Sequence, residues 1–307
     1  MTIRGGILRA FLFALVGVLV AACTNAGATG AAIATPTATP TATATPTLVR
    51  TASPSPTPSP TPNYTAVPDA ANDPVGVAQE LADADAAIRD PNTDPVKLAY
   101  LTHLQQLAIS RLNDYPDWQP QVLAALPEKA RAVVAGSLDA RKQLSLIKGP
   151  TPKTLPDWKI LEVAPVDVLM SYYREAETKF GVPWYYLASI HLVESRMGRI
   201  HGLSTAGAQG PMQFMPATWA AYGTGDVNSD HDAILGAARY LTANGAPGDM
   251  ERALYAYNHS AGYVNALIAY AQVMKNDPAQ YIGYHGWQVY YTTVDGTTYL
   301  PVGWTKP

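Results

Sequence analysis

The chain has 307 residues, of which 48% are hydrophobic and 15% are charged, and its formal net charge is −3. This composition fits a soluble globular protein and lacks the basic excess that nucleic-acid binding requires, so we expect no nucleic-acid partner. The 26 prolines are crowded into one region, and the chain therefore has to be interpreted segment by segment.

Residues 1–22 have the pattern of an export signal. Arg4 and Arg9 precede an apolar run from residue 10 to residue 22, which is short for a membrane span but suits the core of a signal peptide. The single cysteine, Cys23, follows Val20-Ala21-Ala22, and this resembles the lipobox of bacterial lipoproteins. The resemblance implies that Cys23 is acylated and anchors an exported protein to the outer face of a bacterial membrane. The alternative is an ordinary cleavage site that leaves a free thiol.

Residues 23–67 are predicted to form a disordered stalk. Thr-Pro, Ala-Thr-Pro and Ser-Pro units repeat from Thr35 to Pro62. Such units carry too few apolar groups to offset the conformational entropy that ordering the chain would cost. An extended, proline-rich segment of this kind would hold a following domain away from a membrane surface.

Residues 68–149 are predicted to form a helical accessory region of three or four helices. Apolar and small residues recur at spacings of three and four, as at Leu98, Leu101, Leu104, Ala108 and Leu112. Proline interrupts this pattern at Asp90-Pro91, Tyr115-Pro116 and Leu126-Pro127. A scaffold that packs on the following domain is the favoured role, and a separate binding activity is the alternative.

Residues 150–285 are predicted to form a second helical domain, which begins after the Gly149-Pro150-Thr151-Pro152 punctuation. Periodicity and capping residues predict its helices at 167–180, from Pro183 to near Gly198, and at 232–244, 249–257 and 263–275. Residues 286–307 are predicted to be a β-hairpin tail, because two β-prone runs flank Asp295-Gly296.

Glu194 is the most informative ionisable residue. It shares one face of its predicted helix with Leu187 and Ile190, so a carboxyl group continues an apolar stripe. Burial and the negative end of the helix dipole both raise the pKa of such a carboxyl group, which suits a general acid. The structural alternative is an ion pair with Arg196 or Arg199, and periodicity by itself favours that alternative.

Three motifs in a fixed order favour a catalytic role for Glu194 over an ion pair. They are Glu194-Ser195, Gly210-Pro211-Met212-Gln213 and Ala256-Tyr257-Asn258. Together they resemble the Glu-Ser, Gly-Leu-Met-Gln and Ala-Tyr-Asn motifs of the lytic transglycosylases, the peptidoglycan-cleaving relatives of goose-type lysozyme. The middle run is most similar to the membrane-bound type that reads Met-Gln-Phe-Met-Pro-x-Thr-Trp. The resemblance covers residues 184–264 and implies a mainly α fold, in which a lysozyme-like helical catalytic domain carries the accessory helices and the small hairpin.

Carried over position by position, the resemblance makes Glu194 the general acid and base. It assigns the substrate-binding roles to Ser195, Ser204, Met212, Gln213, Met215, Tyr257 and Asn258. Amide, hydroxyl and phenol groups suit the N-acetyl and hydroxyl groups of sugars. Phe214 and Trp219 are expected to pack in the core. Two departures, Pro211 for leucine and Ser260 for glycine, affect the shape of the subsites more than the reaction.

The resemblance also implies a mechanism with one carboxyl group. Glu194 would protonate the oxygen that links N-acetylmuramic acid to N-acetylglucosamine, and its carboxylate would then take a proton from the C6 hydroxyl of the same muramic acid. Attack of that oxygen on C1 would leave a 1,6-anhydro end. A tethered nucleophile explains why no second acid is needed.

Two rival functions remain open on the sequence: hydrolysis of the same bond by water, and glycan binding without cleavage. The sequence predicts no cofactor and no metal. The Asp226-Val227-Asn228-Ser229-Asp230-His231-Asp232 run resembles half of a calcium loop, but it lacks the turn glycine and the final glutamate, so an Asx-rich helix cap is preferred. His191 is interpreted as a structural imidazole. We expect a monomer whose partner is peptidoglycan.

Overall fold

The computed structural model describes residues 63–147 and 149–306. The predicted signal peptide, Cys23 and nearly all of the predicted stalk lie outside these residues, so the structure does not test them. Within the described ranges, no helix combines the length and apolar character that crossing a membrane would need.

The described chain is mainly helical. The helices are α1 (Pro74–Arg89), α2 (Pro95–Asp114), α3 (Gln119–Ala125), α4 (Glu128–Ser145), α5 (Val166–Phe180), α6 (Trp184–Ser195), α7 (Pro216–Tyr222), α8 (Asp230–Ala243), α9 (Met250–Tyr257), α10 (Ala261–Asn276) and α11 (Gln280–His285). The strands are β1 (Lys159–Ile160), β2 (Ile200–His201), β3 (Val289–Thr293) and β4 (Gly296–Leu300). The predicted fold class, mainly α with a small C-terminal hairpin, is confirmed.

The first three accessory helices end one residue before the predicted breaks at Asp90-Pro91, Tyr115-Pro116 and Leu126-Pro127, and the first two begin at Asp-Pro pairs that were not predicted as helix starts. The carboxylates of Asp73 and Asp94 accept hydrogen bonds from the first backbone N–H groups of α1 and α2, and a proline occupies the first helical position each time. An Asp-Pro pair suits the start of a helix for two reasons. The carboxylate accepts hydrogen bonds from the free backbone N–H groups of the first turn, and proline has no backbone N–H that would stay unpaired. Four α-helices result in this region, joined by a 3₁₀ turn at Pro116–Trp118.

Helix α10 lies at the centre of the described core. It packs against α4 on one side and against α6 on another, and Tyr263, Leu267, Tyr270 and Met274 are almost fully buried. The same continuous apolar cluster contains residues of α1 to α4 and residues of α5 to α11. Helix α4 therefore shares one core with the helix that carries Glu194, and burial of this apolar surface is the main source of its stability.

Polar side chains of α2 fasten the C-terminal segment to the helices. Gln106 exchanges two hydrogen bonds with the backbone of Gln288, and His103 Nε2 lies 2.7 Å from the Tyr290 hydroxyl. Trp287, between α11 and β3, is fully buried. The tail is thus part of the packed structure rather than a free end.

The hairpin of β3 and β4 is antiparallel, and Thr293 pairs with Gly296. The two residues of the turn are therefore Val294 and Asp295, one position earlier than the Asp-Gly pair that the sequence predicts. Gly296 has a φ of 122°, in the left-handed region that favours glycine, so it closes the turn from the strand side. A second antiparallel pair, β1 with β2, joins the start of the domain to the segment after α6.

Three helical details differ from expectation. Helices α7 and α11 were not predicted, because each is shorter than the window in which periodicity is readable. Helix α6 ends at Ser195, three residues before Gly198. Its end is formed by Arg196 and Met197, whose φ values are 55° and 60°. The N–H groups of Arg196 and Met197 bond back to the carbonyls of Leu192 and His191, which completes a Schellman motif without glycine.

Candidate active site

Glu194 lies in the last turn of α6, and its side chain is half-buried. The hydroxyl of Tyr263, from α10, donates a short hydrogen bond to its Oε1 atom. Burial raises the pKa of Glu194 from its ordinary value of 4.5 to about 7, and the hydrogen bond from Tyr263 opposes this rise by stabilising the anion. The carboxyl group can therefore hold a proton near neutral pH and still exist as an anion after giving it up.

The ion pair that the sequence left open is not formed. Arg196 donates to the carbonyl of Leu192, and Arg199 bonds to the carbonyls of His285 and Trp287 and pairs with Glu162. Within residues 63–147 and 149–306, no salt bridge includes Glu194. The acid thus keeps its raised pKa because its arginine neighbours in sequence point elsewhere.

The second motif forms a tight loop beside this helix end. Paired backbone hydrogen bonds of 2.8 Å join Gln209 to Phe214 across the loop. Ser195 holds the loop to α6, because its hydroxyl donates to the carbonyl of Pro211 at 2.6 Å and accepts from the N–H of Gly198 at 2.9 Å. Gly210 has a φ of 71°, and a Cβ atom there would lie 1.9 Å from the carbonyl oxygen of Val227. Only glycine fits that position without displacing backbone.

Gln213 and Tyr257 are the predicted residues that combine partial exposure with a fixed geometry. Gln213 has a φ of 51°, and its side-chain amide donates to the carbonyl of Gly210 at 2.8 Å. The Tyr257 hydroxyl donates to the carbonyl of Met212 at 2.6 Å, which ties the third motif to the second. Burial, with a smaller contribution from the charge of Glu194, raises the pKa of Tyr257, so this phenol stays protonated as a donor.

The remaining predicted residues divide into partly exposed and buried ones. Ser204 is half-buried and orders its own loop by accepting hydrogen bonds from the N–H groups of Ala206 and Ala208. Met215 is half-buried immediately before α7, and Asn258, directly after α9, is 6% exposed. Ser195 and Met212 are fully buried, so their side chains have no surface with which to contact a glycan. Both side chains support the motif loop in this structure, and their assignment to substrate binding stays a prediction.

Residues expected to be structural have that environment. Phe214 is buried and packs edge-on against Trp219. His191 is fully buried and its Nδ1 atom lies 2.7 Å from the Tyr173 hydroxyl. In the acidic run, Ser229 and Asp232 accept backbone hydrogen bonds at the start of α8 and in the loop before it. In the part of the chain that the structure describes, no group of three or more His, Cys, Asp or Glu side chains is arranged to hold a metal ion.

Tyr263 is the site residue that sequence reasoning missed. It was the first residue of a predicted helix, and the sequence shows nothing that relates it to Glu194, 69 residues earlier. Both departures from the motif pattern stand in supporting roles: Pro211 supplies the carbonyl that Ser195 contacts, and Ser260 caps α10 by accepting from the N–H of Tyr263. The serine at the third motif therefore helps to set the start of the helix that presents Tyr263.

Comparisons with known proteins point to the same segment. The family model "Transglycosylase SLT domain" matches residues 171–279. The membrane-bound lytic murein transglycosylase F of Thiobacillus denitrificans (strain ATCC 25259 / T1) is 30% identical over 135 residues, which are 41% of this chain and 26% of the relative. The chain thus covers about a quarter of that relative's length. No solved structure matches the chain at a significant level. Residues 171–279 are therefore similar to the transglycosylase SLT domain, the family that the three motifs resemble.

Proposed function

We propose that this protein is a peptidoglycan lytic transglycosylase, which cleaves the β-1,4 bond between N-acetylmuramic acid and N-acetylglucosamine and leaves 1,6-anhydromuramic ends. One observation carries the proposal: Glu194, at the end of α6, is a half-buried carboxyl group without an ion pair among the described residues and with a pKa of about 7. The SLT-domain match and the lytic murein transglycosylase named above support it.

The geometry suits both proton transfers. Protonated Glu194 gives its proton to the glycosidic oxygen as the bond to C1 breaks, so the leaving sugar departs as an alcohol and positive charge develops at C1. The Glu194 anion, stabilised by Tyr263, then accepts the proton of the C6 hydroxyl while that oxygen bonds to C1. The proton returns to Glu194, the 1,6-anhydro ring closes, and no water is consumed. The nucleophile is tethered within the substrate, so its effective concentration is high. No second carboxylate is therefore needed to attack C1 or to activate a water molecule.

The product of digestion tests the proposal directly. Purified protein incubated with peptidoglycan is expected to release muropeptides one water lighter than those produced by a hydrolase, because the C6 oxygen replaces water as nucleophile. Mass spectrometry of the soluble products distinguishes the two masses. Reducing muramic-acid ends in place of anhydro ends would show hydrolysis, and intact sacculi that still retain the protein would show a wall-binding function.

Replacing Tyr263 with phenylalanine is expected to move the alkaline limb of the pH–activity profile upward. The lost hydrogen bond stabilises the Glu194 anion, so its removal raises the pKa of Glu194 further. Hydrogen bonds to charged groups contribute about 1.5–3 kcal/mol, which corresponds to about 1–2 pH units. Activity measured from pH 5 to 10 gives the position of the limb.

Tyr284→Phe is the matched control for this experiment. Tyr284 is also fully buried, but its hydroxyl lies 2.8 Å from that of Ser137 and forms no hydrogen bond with Glu194 among the described residues. The Tyr284→Phe variant is expected to be less stable than the wild type, but the alkaline limb of its pH–activity profile should not move. A Tyr263→Phe profile that coincides with that of the Tyr284→Phe variant would show that Tyr263 does not tune Glu194.

We also propose that Cys23 is lipidated and that the protein faces the cell wall from the outer surface of a membrane. The sequence before Cys23 and the name of the membrane-bound relative support this localisation. Labelled palmitate is expected to enter the wild-type protein and not the Cys23→Ser variant, and equal labelling of both would contradict the anchor. We further propose that residues 1–22 are the signal peptide, 23–67 the stalk, 68–149 the accessory helices, 150–285 the catalytic domain and 286–307 the tail. The protein is proposed to be a monomer.

A further inference from the structure

The turn directly after the Glu194 helix has an unfavourable backbone conformation. Arg196, Met197 and Gly198 have φ values of 55°, 60° and 89°. Left-handed backbone is costly for residues other than glycine, so arginine and methionine adopt it only where surrounding contacts enforce it. Both of these side chains are buried, at 8% and 0% exposed, so the contacts come from the protein interior. The place of Glu194, two residues before Arg196, therefore depends on what holds this turn.

Part of the support for the turn comes from α6 itself. The N–H group of Met197 donates to the carbonyl of His191 at 3.1 Å, and the N–H group of Gly198 donates to the hydroxyl of Ser195 at 2.9 Å. His191 is thus the residue of α6 to which the turn bonds back, and it precedes Glu194 by three positions. A shift of His191 would move both the turn and the acid.

The imidazole of His191 is fully buried and is contacted from two other helices. Its Nδ1 atom lies 2.7 Å from the hydroxyl of Tyr173 in α5, and its Nε2 atom lies 3.3 Å from Oδ1 of Asp230, the first residue of α8. Nε2 makes no well-aligned hydrogen bond with any residue that the structure describes, so the Asp230 carboxylate is the charge that it faces. A carboxylate at this distance favours a hydrogen on Nε2, in the neutral and in the charged imidazole.

Asp230 also packs directly on the turn. A Cβ atom built on Gly198 would lie 2.6 Å from Oδ1 of Asp230 and 3.2 Å from Nε2 of His191, so the carboxylate, the imidazole and the turn meet at one point. The same segment reaches the second motif, because a Cβ atom on Gly210 would lie 1.9 Å from the carbonyl oxygen of Val227. The acidic run before α8 therefore contacts both the turn after the acid and the loop of the second motif.

We propose that Asp230 is a positioning residue for the general acid: it holds the imidazole of His191 and packs on Gly198, and it thereby fixes the end of α6 and the place of Glu194. This inference rests on the proposed function of Glu194. Asp230 acts through His191 and the turn, and it is not assigned a contact with the glycan. Without it, the unfavourable turn is free to relax, and the carboxyl group moves relative to the bond that it protonates. A small misplacement of a catalytic group slows the chemical step while substrate binding is retained.

Asp230→Ala is expected to lower kcat for cleavage of soluble glycan strands by about 10- to 100-fold, with KM unchanged. Asp230→Asn is expected to recover most of this loss, because its amide oxygen can accept a hydrogen bond from Nε2 of His191. Muropeptide release against substrate concentration gives both constants, at a temperature below the unfolding midpoint of every variant.

Asp232→Ala is the matched control. Asp232 also lies in the first turn of α8, and its side chain is 30% exposed against 24% for Asp230, but it pairs with His231 instead of His191. Both alanine variants lose a favourable charge at the N-terminus of the same helix, so their unfolding midpoints should fall to a similar extent. The kcat of Asp232→Ala should nevertheless equal that of the wild type.

Nitrogen-15 NMR of the imidazole rings tests the contact without using activity. Long-range ¹H–¹⁵N spectra show which ring nitrogen carries hydrogen in each of the six histidines, and the signals absent from His191→Gln belong to His191. In the wild type and in Asp232→Ala, Nε2 of His191 is expected to carry hydrogen. In Asp230→Ala, a form with the hydrogen on Nδ1 alone is expected to appear, because the Tyr173 hydroxyl oxygen can accept it.

The outcomes separate this inference from the proposed function. A wild-type protein that leaves glycan strands intact would contradict the proposed function itself. An active wild type whose Asp230→Ala variant cleaves as fast as Asp232→Ala would overturn the positioning role alone. Signals of His191 that are the same in Asp230→Ala and in the wild type would also overturn it.

Discussion

Replacing Glu194 with glutamine is expected to slow glycan cleavage by about 10²- to 10⁴-fold, the usual contribution of a general acid. Glutamine keeps the size of the side chain and can still accept the hydrogen bond from Tyr263, but it has no proton to give and cannot become an anion. Release of soluble muropeptides from purified sacculi measures the rate. Binding of the variant to the same sacculi should persist, because the glycan-contacting surface is unchanged.

Glu251→Gln is the control for this substitution. Glu251 is exposed in the first turn of α9, so the same chemical change is made outside the site. Its cleavage rate should equal that of the wild type. A Glu194→Gln protein that digested sacculi as fast as the Glu251→Gln protein would remove Glu194 from the mechanism, whatever the fold of the domain.

The stability of Glu194→Gln gives an independent check on the raised pKa. Between pH 4.5 and about 7, the unfolded chain loses the Glu194 proton while the folded chain retains it, so this group makes the wild type less stable as pH rises. Above pH 7 the loss levels off at no more than about 3–4 kcal/mol, by the conversion of about 1.36 kcal/mol per pKa unit. The variant should therefore be more stable than wild type at pH 8, with the difference vanishing near pH 4.

Gly210→Ala is expected to be the most damaging single-methyl change in the site. The residue would have to adopt a φ of 71°, which costs a non-glycine residue about 1–2 kcal/mol, and its Cβ atom would meet the backbone carbonyl of Val227 at 1.9 Å. Forced displacement of packed groups typically costs a further 1–3 kcal/mol or so. Chemical denaturation should thus show a loss of about 2–5 kcal/mol, with reduced cleavage because the same loop positions Gln213 and Tyr257.

Gly207→Ala separates the two causes of that loss. Gly207 has a φ of 83°, but nothing lies within 4 Å of a Cβ atom built there. Its substitution should cost only the conformational part, about 1–2 kcal/mol. Equal destabilisation of the Gly207→Ala and Gly210→Ala variants would mean that the contact with Val227 relaxes freely and does not shape the motif loop.

Much of the framework could be predicted because it depends on local signals. Proline-containing breaks end α1, α2 and α3, Gly181 ends α5 in a left-handed conformation, and the hairpin follows from β-prone runs around a turn. Such signals act within a few residues of chain, so they can be read without knowing the tertiary structure. Short helices such as α7 cannot be predicted from local signals, because their formation depends on packing against the rest of the protein.

The sequence alone determined the order of the three motifs, the mainly α architecture and the placement of Glu194 on an apolar helix face, because these are properties of residue order and periodicity. The tertiary structure alone decided which partner Glu194 has, that Ser195 and Met212 are buried, and that Arg196 donates to the carbonyl of Leu192 rather than pairing with the acid. These outcomes depend on how α10 packs between α4 and α6, where residues far apart in sequence meet. Contacts of that kind set the burial and the charge around an ionisable group, and therefore its pKa, which no local pattern encodes.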